Sequence, residues 1–293
     1  MIEKDLKVGK IHLHLREYPS SDDAVIFLHY GGGNLMVWNP VIPYFKGKFH
    51  LILPDLRGHG KSDRPSNGYH MDSMAEDIHL LLKNLNIRSA HIIGSSLGAE
   101  VGLSLAANYP EVVKSLVCEG ALFNEFGPNG IWEGSDEKFK SHAMKTLEDI
   151  RNRPIKKFSS IDELVAEKQS IYKKRGWWNQ HFEDVIRYGA IRLESGQYTE
   201  CWGFIAEAYT KNYLYYQFDQ YYRRVQCPVL FVPDAIPGQD EREKEIMYSF
   251  FSILKNGKIT YIPEWVHPYG WLITPREVSL TILEFIRESS GHF

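Results

Sequence analysis

The chain is 293 residues long, enough for one large domain or two of ordinary size, with 43% apolar, 24% charged and 13% aromatic residues. That composition excludes collagen-like, coiled-coil and disordered chains. A net charge of −3 with the signs interspersed leaves no basic tract for a nucleic-acid backbone, so no nucleic-acid partner is expected.

The first elements read as strands. Residues 5–18 carry the period-2 alternation Ile11-His12-Leu13-His14-Leu15 after a turn at Gly9, and residues 24–29 are a short apolar run. Strands and helices then alternate: a strand at 50–56, a helix at 71–85, a strand at 89–94, a helix at 97–109 stopped by Pro110, and a strand at 113–118. Continuous apolar strands separated by helices indicate an α/β fold with a parallel sheet covered on both faces. The alternation breaks at about Glu119 and resumes at 228–232. Between them, residues 122–226 are polar and helix-like and hold 20 of the chain's 39 Phe, Trp and Tyr. A helix at 241–254, a strand at 258–263 and a helix at 275–287 complete the chain. The expected organisation is a discontinuous core, 1–121 and 227–293, interrupted by a helical unit at 122–226.

Cys118, Cys201 and Cys227 are widely spaced, and the first and last sit in strand-like runs. They read as buried thiols, not as a disulfide frame or a zinc site, and no metal or cofactor is expected. Met1-Ile2-Glu3-Lys4-Asp5 is charged with no apolar segment after it, and no apolar stretch approaches the roughly 18–20 residues of a membrane span. A cytoplasmic protein with no membrane partner is expected.

The strongest chemical signal is Gly94-Ser95-Ser96-Leu97-Gly98, a G-x-S-x-G where a strand gives way to a helix. Such a turn would lift the Ser96 hydroxyl at the carboxyl edge of the sheet, beside helix amides able to hold an oxyanion. A glycine-rich helix cap is the bland alternative. A serine hydroxyl needs a base, and the base an orienting group. His267, in the loop after the last strand, would reach the same edge as Ser96. His29-Tyr30-Gly31-Gly32-Gly33-Asn34 follows an earlier strand, and the amide of Gly31 or Gly32 could pair with that of Leu97 as an oxyanion hole. It is not a dinucleotide fingerprint, because Met36 occupies the third glycine position. Gly58-His59-Gly60-Lys61-Ser62 fails as a phosphate loop, since Asp55 stands where its first glycine is required.

Together, the His29-Tyr30-Gly31-Gly32 loop, the Asp55-Leu56-Arg57-Gly58-His59-Gly60-Lys61-Ser62 turn, the Gly94–Gly98 elbow and His267 resemble the α/β-hydrolase family over residues 20–120 and 227–290. The resemblance implies an eight-stranded, mostly parallel sheet, a serine nucleophile and a helical lid after the sixth strand. It implies a mainly architectural role for Arg57 and His59. The family's acid usually follows the seventh strand, where an ungapped count falls on Pro237. The candidates are, in order, Asp240, Glu119 and Asp234. Asp240 also begins a capping-box pattern for the next helix, whereas Glu119 closes an apolar strand and needs a partner if buried.

Tyr30 departs from the family's usual glycine and either narrows the site or adds a hydroxyl donor. Trp132, Trp177, Trp178, Trp202, Tyr209, Tyr213, Tyr215 and Tyr216 suit an apolar or aromatic substrate, though most such rings form core. The expected activity is a serine hydrolase on a small-molecule ester, thioester or lactone. Carbon–carbon bond hydrolysis or perhydrolysis with the same triad, and a non-catalytic binding member of the fold, are the alternatives.

Overall fold

The computed structural model describes residues 1–120, 122–127, 129–233 and 241–290. In chain order, β1 (Ile2–Val8), β2 (Ile11–Tyr18) and β3 (Ala24–Leu28) precede α1 (Ile42–Phe45), β4 (His50–Pro54) and α2 (Met71–Asn84). Next come β5 (Ala90–Ser95), α3 (Leu97–Asn108) and β6 (Val113–Glu119). Helices α4 (Asp136–Asn152), α5 (Ile161–Lys174) and α6 (Gln180–Gly189), the pair β7 (Ala190–Arg192) and β8 (Tyr198–Glu200), α7 (Trp202–Tyr213) and α8 (Phe218–Tyr222) follow. The chain then returns through β9 (Val229–Val232), α9 (Glu241–Phe251), β10 (Gly257–Ile259), α10 (Gly270–Ile273) and α11 (Pro275–Ser289).

Eight strands form one sheet in the order β1-β2-β4-β3-β5-β6-β9-β10. β2 runs antiparallel to β1 and β4, and the remaining neighbours are parallel. This is an α/β-hydrolase-type sheet, mostly parallel and flanked by helices. β3 and β5 are buried at every residue, as continuous apolar strands of a two-sided parallel sheet must be. Alternate side chains serve opposite layers: Ile26 and Ile92 pack with α2 and α3, while Phe27 and Ile93 pack with Trp38, Trp271 and Phe285. α3 is buried along nearly its whole length, and Gly98 lets it lie directly on β3, since a Cβ there would meet the Leu28 carbonyl.

Two details differ from the sequence expectation. β10 ends at Ile259, short of residue 263. The segment between β6 and β9 also contains an antiparallel hairpin, β7 with β8, turned at Gly196, whose φ is +81°. The backbones of Phe158 and Tyr198 exchange hydrogen bonds beside it, so strand pairing extends locally into a mainly helical insert. Among the described residues, no helix is long and apolar enough to cross a membrane.

Candidate active site

Ser96 sits at the strand-to-helix turn between β5 and α3 with φ +50° and ψ −118°, a left-handed conformation that costs a non-glycine residue energy. Its backbone N–H donates to the carbonyl of Glu119 at 2.8 Å, and its side chain makes no capping bond to the helix. Gly94 and Gly98 flank it where Cβ atoms would strike the Gly98 and Leu28 carbonyls. The surroundings therefore hold the strained turn, and the hydroxyl is not spent on capping.

His267 meets Glu119: Nδ1 lies 2.6 Å from Oε1. Its ring stands over Gly120, where a Cβ would come within 2.8 Å of Cε1. Glu119, the last residue of β6, is fully buried and receives three further bonds. Trp265 Nε1 donates to Oε1 at 3.0 Å, Ser95 Oγ to Oε2 at 2.6 Å, and Trp271 Nε1 to Oε2 at 3.4 Å. Burial alone would raise this carboxyl. The charge of His267 and the hydrogen bonds from His267, Ser95 and Trp265 outweigh it and hold the group below the usual carboxylate range. Glu119 is thus an ionised carboxylate at neutral pH, poised to hold an imidazole and stabilise its protonated form. Glu119 meets both Ser96, through the backbone, and His267, through the ring. Asp240 and Asp234 lie outside the described residues.

The glycine loop is fixed from behind by two buried histidines. Gly32 N–H donates to His59 Nε2 at 2.9 Å, and Leu56 N–H to His29 Nε2 at 3.0 Å. With Nε2 accepting in both rings, each proton sits on Nδ1, bonded to the carbonyl of Arg57 at 3.0 Å and of Tyr30 at 2.8 Å respectively. Burial pushes both rings toward the neutral form, His59 down to about 4. The Gly32 amide is therefore committed to His59 and is unavailable to an oxyanion, which corrects one of the two glycine options. The amides of Gly31 and Leu97 bond to nothing among the described residues. Trp202 crowds Gly31, its Cζ3 standing within 2.6 Å of where a Cβ would be.

The turn beyond carries its own anchors. Arg57 makes two 2.6 Å bonds to Asp77. Asp55 accepts from Leu35 N, Lys61 N and Tyr188 Oη at 2.7, 2.9 and 2.9 Å.

A cavity of about 220 Å³ opens beside the loop, lined by Tyr30, Gly31, Tyr172, Phe182, Trp202 and Tyr269 among others. Lys168 and Glu200, paired at 2.7 Å, add charge to its wall. Tyr30 borders it edge-on to Tyr269, ring centroids 5.8 Å apart, and so narrows it. Trp132 instead packs against Phe139 in a separate cluster. Sequence reasoning missed Ser95, Trp265 and Trp271 as holders of the acid, and Tyr172, Phe182 and Tyr269 as cavity wall. The one local signal for the indoles was their closeness to His267, two residues before it and four after.

Residues 23–232 match a family model for the alpha/beta hydrolase fold. A 2-(acetamidomethylene)succinate hydrolase of Mesorhizobium japonicum is 36% identical over 116 residues, 40% of this chain and 41% of that protein. The 3-oxoadipate enol-lactonase 2 of Acinetobacter baylyi is 40% identical over 124 residues, 42% and 46% of the two chains. These alignments span less than half the length of either relative. A crystal structure of E-2-(acetamidomethylene)succinate hydrolase superposes with a TM-score of 0.75 at 25% identity, covering 97% of this chain and 98% of that one. With sheet order, strand-to-helix elbow and family match in agreement, the chain belongs to the α/β-hydrolase fold family.

Proposed function

We propose that the protein is a serine hydrolase that cleaves a carboxylic ester, thioester or lactone of a small, largely apolar or aromatic substrate through an acyl-enzyme. Ser96 Oγ attacks the scissile carbonyl while His267 takes its proton on Nε2, the nitrogen turned from Glu119. Glu119 holds Nδ1–H and stabilises the imidazolium. The amides of Gly31 and Leu97 receive the tetrahedral oxyanion. His267 then returns its proton to the leaving group, and a water activated by the same imidazole releases the acid and regenerates Ser96.

The observation that carries this reading is the 2.6 Å contact between His267 and a buried, charged Glu119, whose own carbonyl accepts from Ser96 N–H. It supports Glu119 as the orienting acid in place of Asp240. Residues 122–226 act as the lid on a core of 1–121 and 227–293. The names of the relatives, a succinate-derivative hydrolase and an enol-lactonase, agree with hydrolysis and keep a lactone among the candidate substrates. Ser96→Ala tests the proposal. It should abolish both p-nitrophenyl acetate turnover and fluorophosphonate labelling, and undiminished labelling would overturn Ser96 as nucleophile.

A further inference from the structure

Glu100 plays no part in the steps above, yet it is buried one helical turn beyond the nucleophile, with 3% of its surface exposed. Glu100 stands in the first turn of α3, four residues after Ser96 at the helix's N-cap, and a helical side chain leans toward the N-terminus, here toward the Ser96 turn. Glu100 Oε1 accepts the Tyr209 hydroxyl at 2.6 Å. Its Oε2 is equally buried and bonds to nothing among the described residues. Native interiors seldom leave such an oxygen unpaired.

Tyr209 reaches it from α7, with its ring centroid 5.5 Å from that of Trp202, the indole that covers Gly31. Glu100 is therefore tied, through two rings, to the loop proposed to hold the oxyanion.

We propose that Glu100 is a specificity-determining residue whose Oε2 hydrogen-bonds a second carbonyl oxygen of the substrate, a few atoms from the scissile one. The inference rests on Ser96 being the nucleophile. Burial pushes the Glu100 carboxyl up to about 7, against the opposing Tyr209 bond and His267 charge. The other titratable groups facing it are Tyr213 and Tyr216. Tyr209 already donates to Oε1, so a proton on Oε2 is a donor and calls for an acceptor on the ligand: a ketone, ester or amide carbonyl in place of a bare alkyl tail.

The test compares kcat/KM for p-nitrophenyl 4-oxopentanoate with p-nitrophenyl pentanoate, and for 3-oxobutyl acetate with butyl acetate. The first pair places the extra carbonyl in the acyl part and the second in the alcohol. At about pH 6 the wild type should favour the oxo member of one pair by about 10-fold or more. Glu100→Leu should bring that ratio to about one. Glu100→Gln, whose amide can accept from Tyr209 and donate to a carbonyl, should keep it. The wild-type ratio should decline as pH rises through about 7, and the Glu100→Gln ratio should not. No preference in either pair, or a ratio unchanged in Glu100→Leu, overturns the proposal. An equal fall on both members overturns it too, because it assigns Glu100 only to holding α7. Should Glu100→Leu fail to fold, the pH dependence of wild type against Glu100→Gln decides. Fluorophosphonate labelling run alongside separates the failures: a labelled wild type without the preference sinks this inference alone, and an unlabelled wild type sinks the nucleophile.

Discussion

Glu119 and His267, 148 residues apart in sequence, meet through a 2.6 Å contact between Oε1 and Nδ1. Glu119, the proposed acid, stands on the end of β6, and His267, the proposed base, stands in the loop after β10. Glu119→Gln keeps the shape but loses the charge and invites the wrong imidazole tautomer. It should lower kcat by about 10³ to 10⁴-fold, the cost of the equivalent change in a serine protease triad. Asp240→Asn should leave kcat within a few-fold of wild type. Steady-state kinetics on p-nitrophenyl acetate with both variants checks the assignment, and the opposite pattern would restore Asp240 as the acid.

The bonds that keep Glu119 charged should also show in stability. Trp265→Phe retains most of the ring but removes one N–H donor to a buried carboxylate. The expected loss is about 1–3 kcal/mol of unfolding free energy, read from urea denaturation. A variant as stable as wild type would mean that the remaining donors and His267 suffice.

Gly31 is confined by Trp202. In Gly31→Ala the new methyl would stand 2.6 Å from Trp202 Cζ3, so the indole or the loop must move. Displacing one oxyanion donor lowers kcat by about 10²-fold. Because the obstructing atoms belong to a ring edge, Gly31→Ala combined with Trp202→Leu should recover at least part of that loss. A double variant no better than the single one would locate the damage in the backbone instead.

Acid should weaken the fold through histidines buried in the neutral state. Burial lowers His59 and His91 from about 6.5 to about 4. Between these limits the unfolded chain binds protons that the native chain refuses, so stability rises with pH from about 4 to 6.5 and levels off above it. Each ring contributes a slope of at most about 1.4 kcal/mol per pH unit. Glu119 acts in a lower window: its folded carboxyl is depressed, so its contribution is complete above the ordinary carboxylate range and fades as pH falls below it. His91→Gln, which spares the glycine loop, should flatten the denaturation slope between about pH 6.5 and 5, and an unaltered slope would refute the role given to His91.

The elbow was legible in the sequence because its constraint is local: Gly94, Ser96 and Gly98 fall within five residues, at the junction of two opposed periodicities. His267 was placed by position after the last strand. Glu119 ranked below Asp240 because nothing local separates an acid that closes a strand against solvent from one that closes it against an imidazole. That distinction lies in Trp265, Trp271 and Ser95, which approach only when β5, β6 and the C-terminal loop assemble. The fate of the Gly32 amide was hidden for the same reason. Sequence spacing offers Gly31 and Gly32 as equal donors, and the fold removes one by setting His59 behind it. The hairpin β7–β8 escaped because strands of three residues are shorter than the window over which alternation can be read.

Ser95 and Glu119 are register partners on adjacent parallel strands. The distance between the Ser96 turn and Glu119 is therefore measured off by the sheet ladder itself, a spacing of about 4.8 Å that side-chain motion scarcely alters. Of the three proposed catalytic groups, only His267 hangs from a loop, and it is clamped at its far nitrogen. The separation of the Ser96 turn from Glu119 then inherits the rigidity of a sheet whose central strands are buried at every residue.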